Sequence, residues 1–197
     1  TTKKGRREGK QLLLEGARLV AEAIASPVHV AAVIVADDER GHGAWRKLLP
    51  EAAKKKIAAY HLNSNDFDKL TDTVHSAGIG CVMDWTPAEF DMMKQSWKIR
   101  HSLVCDRISD PGNLGTLIRT AAGLGLDAIF LLPDTAELTN PKTVRAAAGA
   151  LFHIPVFEDV PAEAVMSWAK REAIAVIVAD AHRGQPAVTL ATGKWSL

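Results

Sequence analysis

The chain has 197 residues, of which 47% are hydrophobic and 24% charged, and its formal net charge is +1. This composition excludes wholesale disorder, and no apolar run approaches the ~20 residues needed to cross a bilayer. The near-neutral total also excludes long-range capture of a polyanion by the whole molecule, leaving local basic clusters such as Lys3, Lys4, Arg6, Arg7 and Lys10, or Lys94, Lys98, Arg100 and Arg107.

The length suits one large domain or two small ones. The opening TTKKGRREGKQLLLEG is basic but has no long apolar core, so no export is expected. Cys81 and Cys105 each sit in a short apolar run, which reads as two buried free thiols in a reducing, cytoplasmic setting. Neither has a second ligand at short spacing, so no metal is expected.

Apolar residues at helical spacing predict a helix over Leu12 to Ala25, closed by Ser26-Pro27. A β-branched run predicts a buried strand over Val28 to Val35, followed by a polar turn, Asp37 to Gly43. A short helix, Trp45 to Lys55, and a strand, Ile57 to Leu62, come next. Asn63 or Ser64 can cap another helix with Asp66 in its first turn, and GIGCVMDW, Gly78 to Trp85, reads as a strand. Together these make a layered α/β unit over residues 1–95. Thr86 to Lys98 reads as a connecting helix capped by Thr86 with Pro87 in its first turn.

The alternation then restarts over residues 99–197. Strands are expected at Ser102 to Asp106, Ala128 to Leu132, Ile154 to Phe157 and Ala175 to Ala179. Helices are expected at Asn113 to Leu124, Pro141 to Ala148 and Ala162 to Ala173. Strands apolar almost throughout suit a parallel sheet covered on both faces. No G-x-G-x-x-G or G-K-[ST] phosphate loop follows any of these strands, which disfavours an ordinary nucleotide-binding enzyme.

The chemistry concentrates in DRISDPGNLGTLIRTAAGLGLDAIFLLPD, Asp106 to Asp134. A loop after a parallel strand, leading into a helix start with unpaired N–H groups, is where α/β sheets bind ligands and anions. Asn113 and Arg119 are six positions apart, so they share a helix face only if Asn113 lies in the loop or at the cap. Arg119 beside Thr120-Ala121-Ala122 suggests close packing around a long cation. The alternative is that Asn113 is only a cap and Arg119 pairs with a surface carboxylate. Lys142 and Arg145 are three apart on one helix face and could bridge phosphates, or form a solvated basic edge. His153, in LFHIPV, reads as a satisfied, buried or semi-buried histidine, and the five tryptophans show no stacking array.

DPGNLGTLIRTAAGLG, Asp110 to Gly125, resembles the first signature of the TrmH-like (SpoU) branch of the SPOUT methyltransferases, roughly D-P-x-N-x-G-x-x-x-R-T-A-x-x-x-G. NPKTVRAAAGALFHIPV, Asn140 to Val156, resembles the segment that follows in that family, with Ala147 where serine is frequent. EGARLVAEAI and HSAGIGCVM resemble the small substrate-binding domain that many members carry.

The resemblance implies a two-domain α/β protein. Its parts would be an RNA substrate-binding domain over 1–95 and the N-terminal part of a trefoil-knot catalytic domain over 99–197. It implies transfer of methyl from S-adenosyl-L-methionine to a ribose 2′-hydroxyl, in ribosomal RNA ahead of transfer RNA, by a homodimer joined through the catalytic domain. Arg119 would be the catalytic residue, with Asn113 orienting groups around it and Lys142, Arg145 and Arg107 as RNA contacts. Arginine, with a pKa above ~12, is a poor base, so Arg119 would act by meeting charge that develops on the ribose oxygen. Two further family signatures, expected after Leu197, would form the knot and most of the cofactor pocket. The 197-residue portion by itself is therefore expected to be inactive. A non-catalytic RNA-binding or ribosome-assembly factor on the same fold is the alternative.

Overall fold

The computed structural model describes residues 9–71, 76–90 and 99–179. The chain divides into two compact units, Thr1–Val160 and Pro161–Leu197.

Gln11–Glu15 forms strand β1, where a helix was expected from Leu12 onward. In β1 the leucines alternate: Leu12 and Leu14 are buried, and Leu13 between them is only half-buried. Gly16, at φ 101°, then turns the chain into helix α1, Ala17–Ala25, which buries Leu19, Val20, Ala23 and Ile24. Only glycine takes that φ without steric cost. The triple leucine satisfies both periods, and pairing with a neighbouring strand decides between them. β2, Val30–Ala36, follows, and helix α2, Glu39–Lys54, begins earlier than its sequence suggests. Asp38 starts it by accepting a hydrogen bond from the Gly41 amide at 3.1 Å, so the expected polar turn is reduced to two residues. β3, Ala58–Leu62, leads to α3, Ser64–Leu70, capped by Asn63, and then to β4, Ile79–Asp84.

These strands form a mixed sheet in the order β1-β4-β2-β3. β4 runs antiparallel to both β1 and β2, whereas β2 and β3 are parallel. Cys81 lies opposite Leu14 on one side and Val33 on the other, in the centre of the sheet. Burial pushes its thiol up to about 12, and that of Cys105 to about 11, so both stay protonated.

Thr86–Phe90 is not helical. Ala88 forms a parallel bridge to Phe157, and the Phe90 ring meets Phe130 edge-on at 4.9 Å. Docking this aromatic ring holds the segment extended; the rest of the expected helix lies outside the described residues. β5, Ser102–Cys105, α4, Pro111–Gly123, β6, Ala128–Leu131, α5, Pro141–Ala147, a 3-10 turn, Ala150–Phe152, and β7, Val156–Phe157, complete the unit. β5, β6 and β7 make a wholly parallel sheet in that order. One continuous apolar core runs from Leu12 in the first sheet to Val156 in the second.

In the second unit α6, Ala162–Arg171, buries Val165, Trp168 and Ala169. Residues 174–179 are not a strand, and Ile177 and Val178 are exposed. A β-branched run becomes a strand only beside a partner, and among the described residues it has none. Trp45 and Trp85 pack against the core as half-buried side chains, whereas Trp97 and Trp195 lie outside the described residues. So do Lys3, Lys4, Arg6, Arg7, Lys94 and Lys98.

The strand assignment of β1 has a direct test. Leu14→Ala should cost about 2–5 kcal/mol in urea unfolding, as for other buried leucines, and Leu13→Ala distinctly less. A helix through these residues would not produce that alternation.

Candidate active site

The Asp110-Pro111-Gly112-Asn113 sequence builds the start of α4. Asp110 is the N-cap, its Oδ1 accepting the Asn113 amide at 2.8 Å, and Pro111 occupies the first turn, where it needs no partner for a missing N–H. Asn113 therefore sits inside the helix and not at its cap. Leu114, Gly115, Ile118 and Ala121 face the core. Asn113, Thr116, Arg119 and Thr120 are exposed.

Two glycines let α5 come close. A Cβ on Gly115 would lie 2.4 Å from the Thr143 carbonyl oxygen and 2.6 Å from the Ala146 Cβ. A Cβ on Gly112 would lie 3.0 Å from Cε of Lys142. The open space above Gly112 is what allows Lys142 to cross to Asp110, where Nζ donates to Oδ2 at 2.7 Å. Lys142, followed by the Asn113 amide, holds the Asp110 carboxyl below its ordinary pKa. Ala147, where serine is frequent in the resembling family, is fully buried, with its amide 2.9 Å from the would-be Gly115 Cβ. This packed seam is where the small residue stands.

The loop before α4 is tied to the loop after β6. The Leu132 amide donates to the Cys105 carbonyl at 2.9 Å and the Ala136 amide to the Ile108 carbonyl at 2.8 Å. Thr135 Oγ1 donates to the Cys105 carbonyl at 3.2 Å. Arg107, in the same loop, takes a left-handed φ of 51° and lays its guanidinium against Asp106, with Nε 3.1 Å from Oδ1. That pairing raises the Arg107 pKa.

The Arg119 side chain is exposed and makes no hydrogen bond or ion pair among the described residues. It is neither locked in the interior nor surrounded by close packing; Ala121 turns inward while the arginine turns out. Asn113 is six residues away on the same helix, about 9 Å along the axis and roughly 120° around it, so the two do not share a face. Lys142 and Arg145 are both exposed on α5, but Lys142 is held by Asp110. Arg145 is without an ion pair among the described residues, beside Leu13, Leu14 and Leu70. His153 is exposed and not buried as expected, because its ring turns out of the apolar run toward α1, with Nε2 3.6 Å from a Glu22 carboxylate oxygen.

Two features escaped the sequence reading. The cap and lysine partner Asp110 was announced by Asp preceding Pro at a helix start. The other is a cavity of about 210 Å³ at the C-terminal ends of β6 and β7, lined by Asp134, Glu137, Glu158 and Asp159 among others. Its four carboxylates come from two separate loops, so no local spacing reveals them.

Residues 100–195 match the family described as SpoU rRNA Methylase, and residues 1–80 match the MRM3-like substrate binding domain. The chain belongs to the SpoU rRNA methylase family. A Bacillus subtilis (strain 168) protein named 23S rRNA (guanosine(2553)-2'-O)-methyltransferase RlmP is 37% identical over 155 residues, covering 79% of this SpoU-family chain and 57% of its own. The Homo sapiens protein named rRNA methyltransferase 3, mitochondrial, is 30% identical, covering 82% of this chain and 38% of its own. The SpoU-family chain thus spans little more than half the length of the first relative, and less of the second. The crystal structure of the SpoU methyltransferase AviRb from Streptomyces viridochromogenes, in complex with the cofactor AdoMet, superposes with a TM-score of 0.72 at 22% identity. It covers 88% of this chain and 64% of its own, and at that identity the likeness concerns the fold alone.

That relative holds AdoMet, but the acidic cavity of the SpoU-family chain is smaller than the roughly 300–1,000 Å³ of ordinary ligand pockets. It is also walled largely by carboxylates. The described residues do not by themselves enclose such a cofactor.

Gly115→Ala should cost about 1–3 kcal/mol through overpacking of α4 on α5, read by urea unfolding. Asp110→Ala should lower the melting temperature and flatten its acid dependence. Because the folded carboxyl has a lowered pKa, its contribution is present above the ordinary carboxylate range and is lost as pH falls through the folded value. A melting curve that loses nothing on this substitution at neutral pH would remove Asp110 from the frame of the site.

Proposed function

We propose that the protein is an RNA 2′-O-ribose methyltransferase with S-adenosyl-L-methionine as methyl donor and ribosomal RNA as substrate. The observation that carries this reading is Arg119: an exposed cation without an ion pair among the described residues, on the helix that follows the first strand of the parallel sheet. A ribose hydroxyl is a weak nucleophile until its proton is displaced. A guanidinium set beside it would stabilise the negative charge that builds on the oxygen as its proton passes to water, readying the oxygen to take the methyl group, without the guanidinium itself accepting the proton.

In this reading residues 1–95 select the RNA and residues 99–197 belong to the catalytic part, acting as a homodimer in the cytoplasm. The match of residues 1–80 to a substrate-binding family supports the division. Arg145 and Lys142 contact phosphates; Lys142 spends one of its three donors on Asp110 and keeps two. Arg107 contacts RNA with the face of its guanidinium turned away from Asp106. Asn113 orients groups at the start of α4, on a different side of the helix from Arg119, and so acts on a different part of the substrate.

The test is methyl transfer from labelled S-adenosylmethionine to an rRNA fragment, by the full-length gene product and its Arg119→Ala variant. Turnover should fall about 10²–10³-fold, with RNA affinity and the thermal melt nearly unchanged. Near-normal turnover in the variant would overturn the catalytic role of Arg119. Salt-sensitive RNA binding without any turnover in the unmodified protein would favour a binding or assembly factor.

A further inference from the structure

A second group of reactive side chains lies far from α4 in sequence, around the C-terminal ends of the two parallel strands of the first sheet. Asp37 directly follows β2, His61 is the fourth residue of β3, and His42 stands in the first turns of α2. One ligand atom from each lies within 4.8 Å of the other two. His42 Nε2 is already 2.9 Å from Asp37 Oδ1, and the His42 and His61 rings are 6.0 Å apart, tilted at 54°.

The backbone holds all three in place. The Asp37 amide donates to the Leu62 carbonyl at 2.7 Å, binding the end of β2 to the end of β3. Val35 is in register with His61, so both strands deliver their residues to the same end of the sheet. The third arm is fixed by the close approach of α2: a Cβ on Gly41 would lie 2.1 Å from the Ala36 carbonyl oxygen. The helix can enter at that point only because residue 41 is glycine, and His42 is its neighbour.

The adjacent charges are arranged to leave Asp37 available. Asp38, the next residue, accepts from Arg40 at 2.7 Å and from Ser64 at 2.6 Å, and Arg40 also reaches Asp68 at 3.3 Å. The guanidinium is thus neutralised by Asp38 and Asp68, while the Asp37 carboxylate meets only an imidazole among the described residues.

We propose that Asp37, His42 and His61 form a binding site for a divalent cation of the zinc type. Two imidazoles and one carboxylate are borderline donors that favour Zn²⁺, Ni²⁺ and Cu²⁺ over Mg²⁺ or Ca²⁺. Such ions sit about 2.0–2.2 Å from nitrogen and oxygen ligands. Donors on one ion stand a little over 3 Å apart, and the three ligand atoms already lie within 4.8 Å of one another on exposed side chains. The cation would take the place of the His42–Asp37 hydrogen bond. All three side chains are exposed, so the ion keeps at least one position open to water or another oxygen ligand. The site adds a fixed positive centre to residues 1–95, and its existence is independent of the methyl-transfer reading.

Isothermal titration of the metal-free, tag-free protein with zinc chloride tests it, with cobalt absorption as a geometric readout. One saturable site per chain is expected, with affinity lowered at least tenfold in His42→Ala and in His61→Ala. The same affinity should persist in His29→Ala, whose histidine pairs with Asp84 elsewhere. Circular dichroism melts of each variant establish that the fold survives, and Asp37→Asn, the milder change, should weaken binding in the same direction. No saturable zinc binding, or binding that survives both histidine substitutions in folded protein, overturns the proposal.

Discussion

The candidate active site depends on how closely α5 lies against α4. Helix pairs with ordinary side chains at the crossing stand about 8–10 Å apart, and Gly115 removes the side chain that would set the distance here, bringing the Thr143 carbonyl and Ala146 against bare backbone. This approach carries the start of α5 over the start of α4, and from there Lys142 reaches Asp110. Capping, ion pairing and helix packing are therefore one arrangement. A bulkier residue at 115 would lift α5, lengthen the lysine contact and loosen the cap together.

The same packing sorts the charges. Arg107 and Lys142 are each committed to a neighbouring aspartate, and Asp134, Glu137, Glu158 and Asp159 rim the cavity at the strand ends. Arg119 and Arg145 stand apart from those pairs. A polyanion approaching this surface would meet carboxylates around the cavity and, on the helices, cations that have no ion pair among the described residues. Electrostatics would thus steer phosphate toward the helix faces and away from the strand ends. The near-zero net charge of the chain conceals this partition.

Much of this was legible in the sequence because the relevant signals are local. The run from Ser102 to Leu131 could be divided into strand, helix and strand because apolar runs mark buried strands, although the helix starts at Pro111, two residues before the expected Asn113, where Asp110 caps it. β1 was misread because Leu12-Leu13-Leu14 fits both a helical and a strand period; the hydrogen bonds of β4, some seventy residues away, decide it. The segment after Trp85 was misread because the Phe90 ring finds Phe130 and Phe157, contacts that no window around residue 90 contains. The cluster of Asp37, His42 and His61 was invisible for the same reason: two of its members are neighbours only through strand register.

Exposure of Arg119 bears on how it could serve catalysis. In water a guanidinium is screened, and its attraction for a forming alkoxide is about fourfold weaker than at a half-desolvated surface, where the effective dielectric constant falls from about 80 to about 20. An arginine buried from the outset would have to be paired, and its partner would cancel the field it exerts. An arginine left in solvent avoids that cancellation but does little until something covers it. Under the proposed function the substrate itself could cover it: RNA laid across the exposed face of α4 would exclude water from the guanidinium and bring the ribose oxygen to it in the same event. The full electrostatic advantage would then arise only in the complex with the correct geometry. Selectivity for the modified nucleotide and acceleration of the reaction would rest on the same contact.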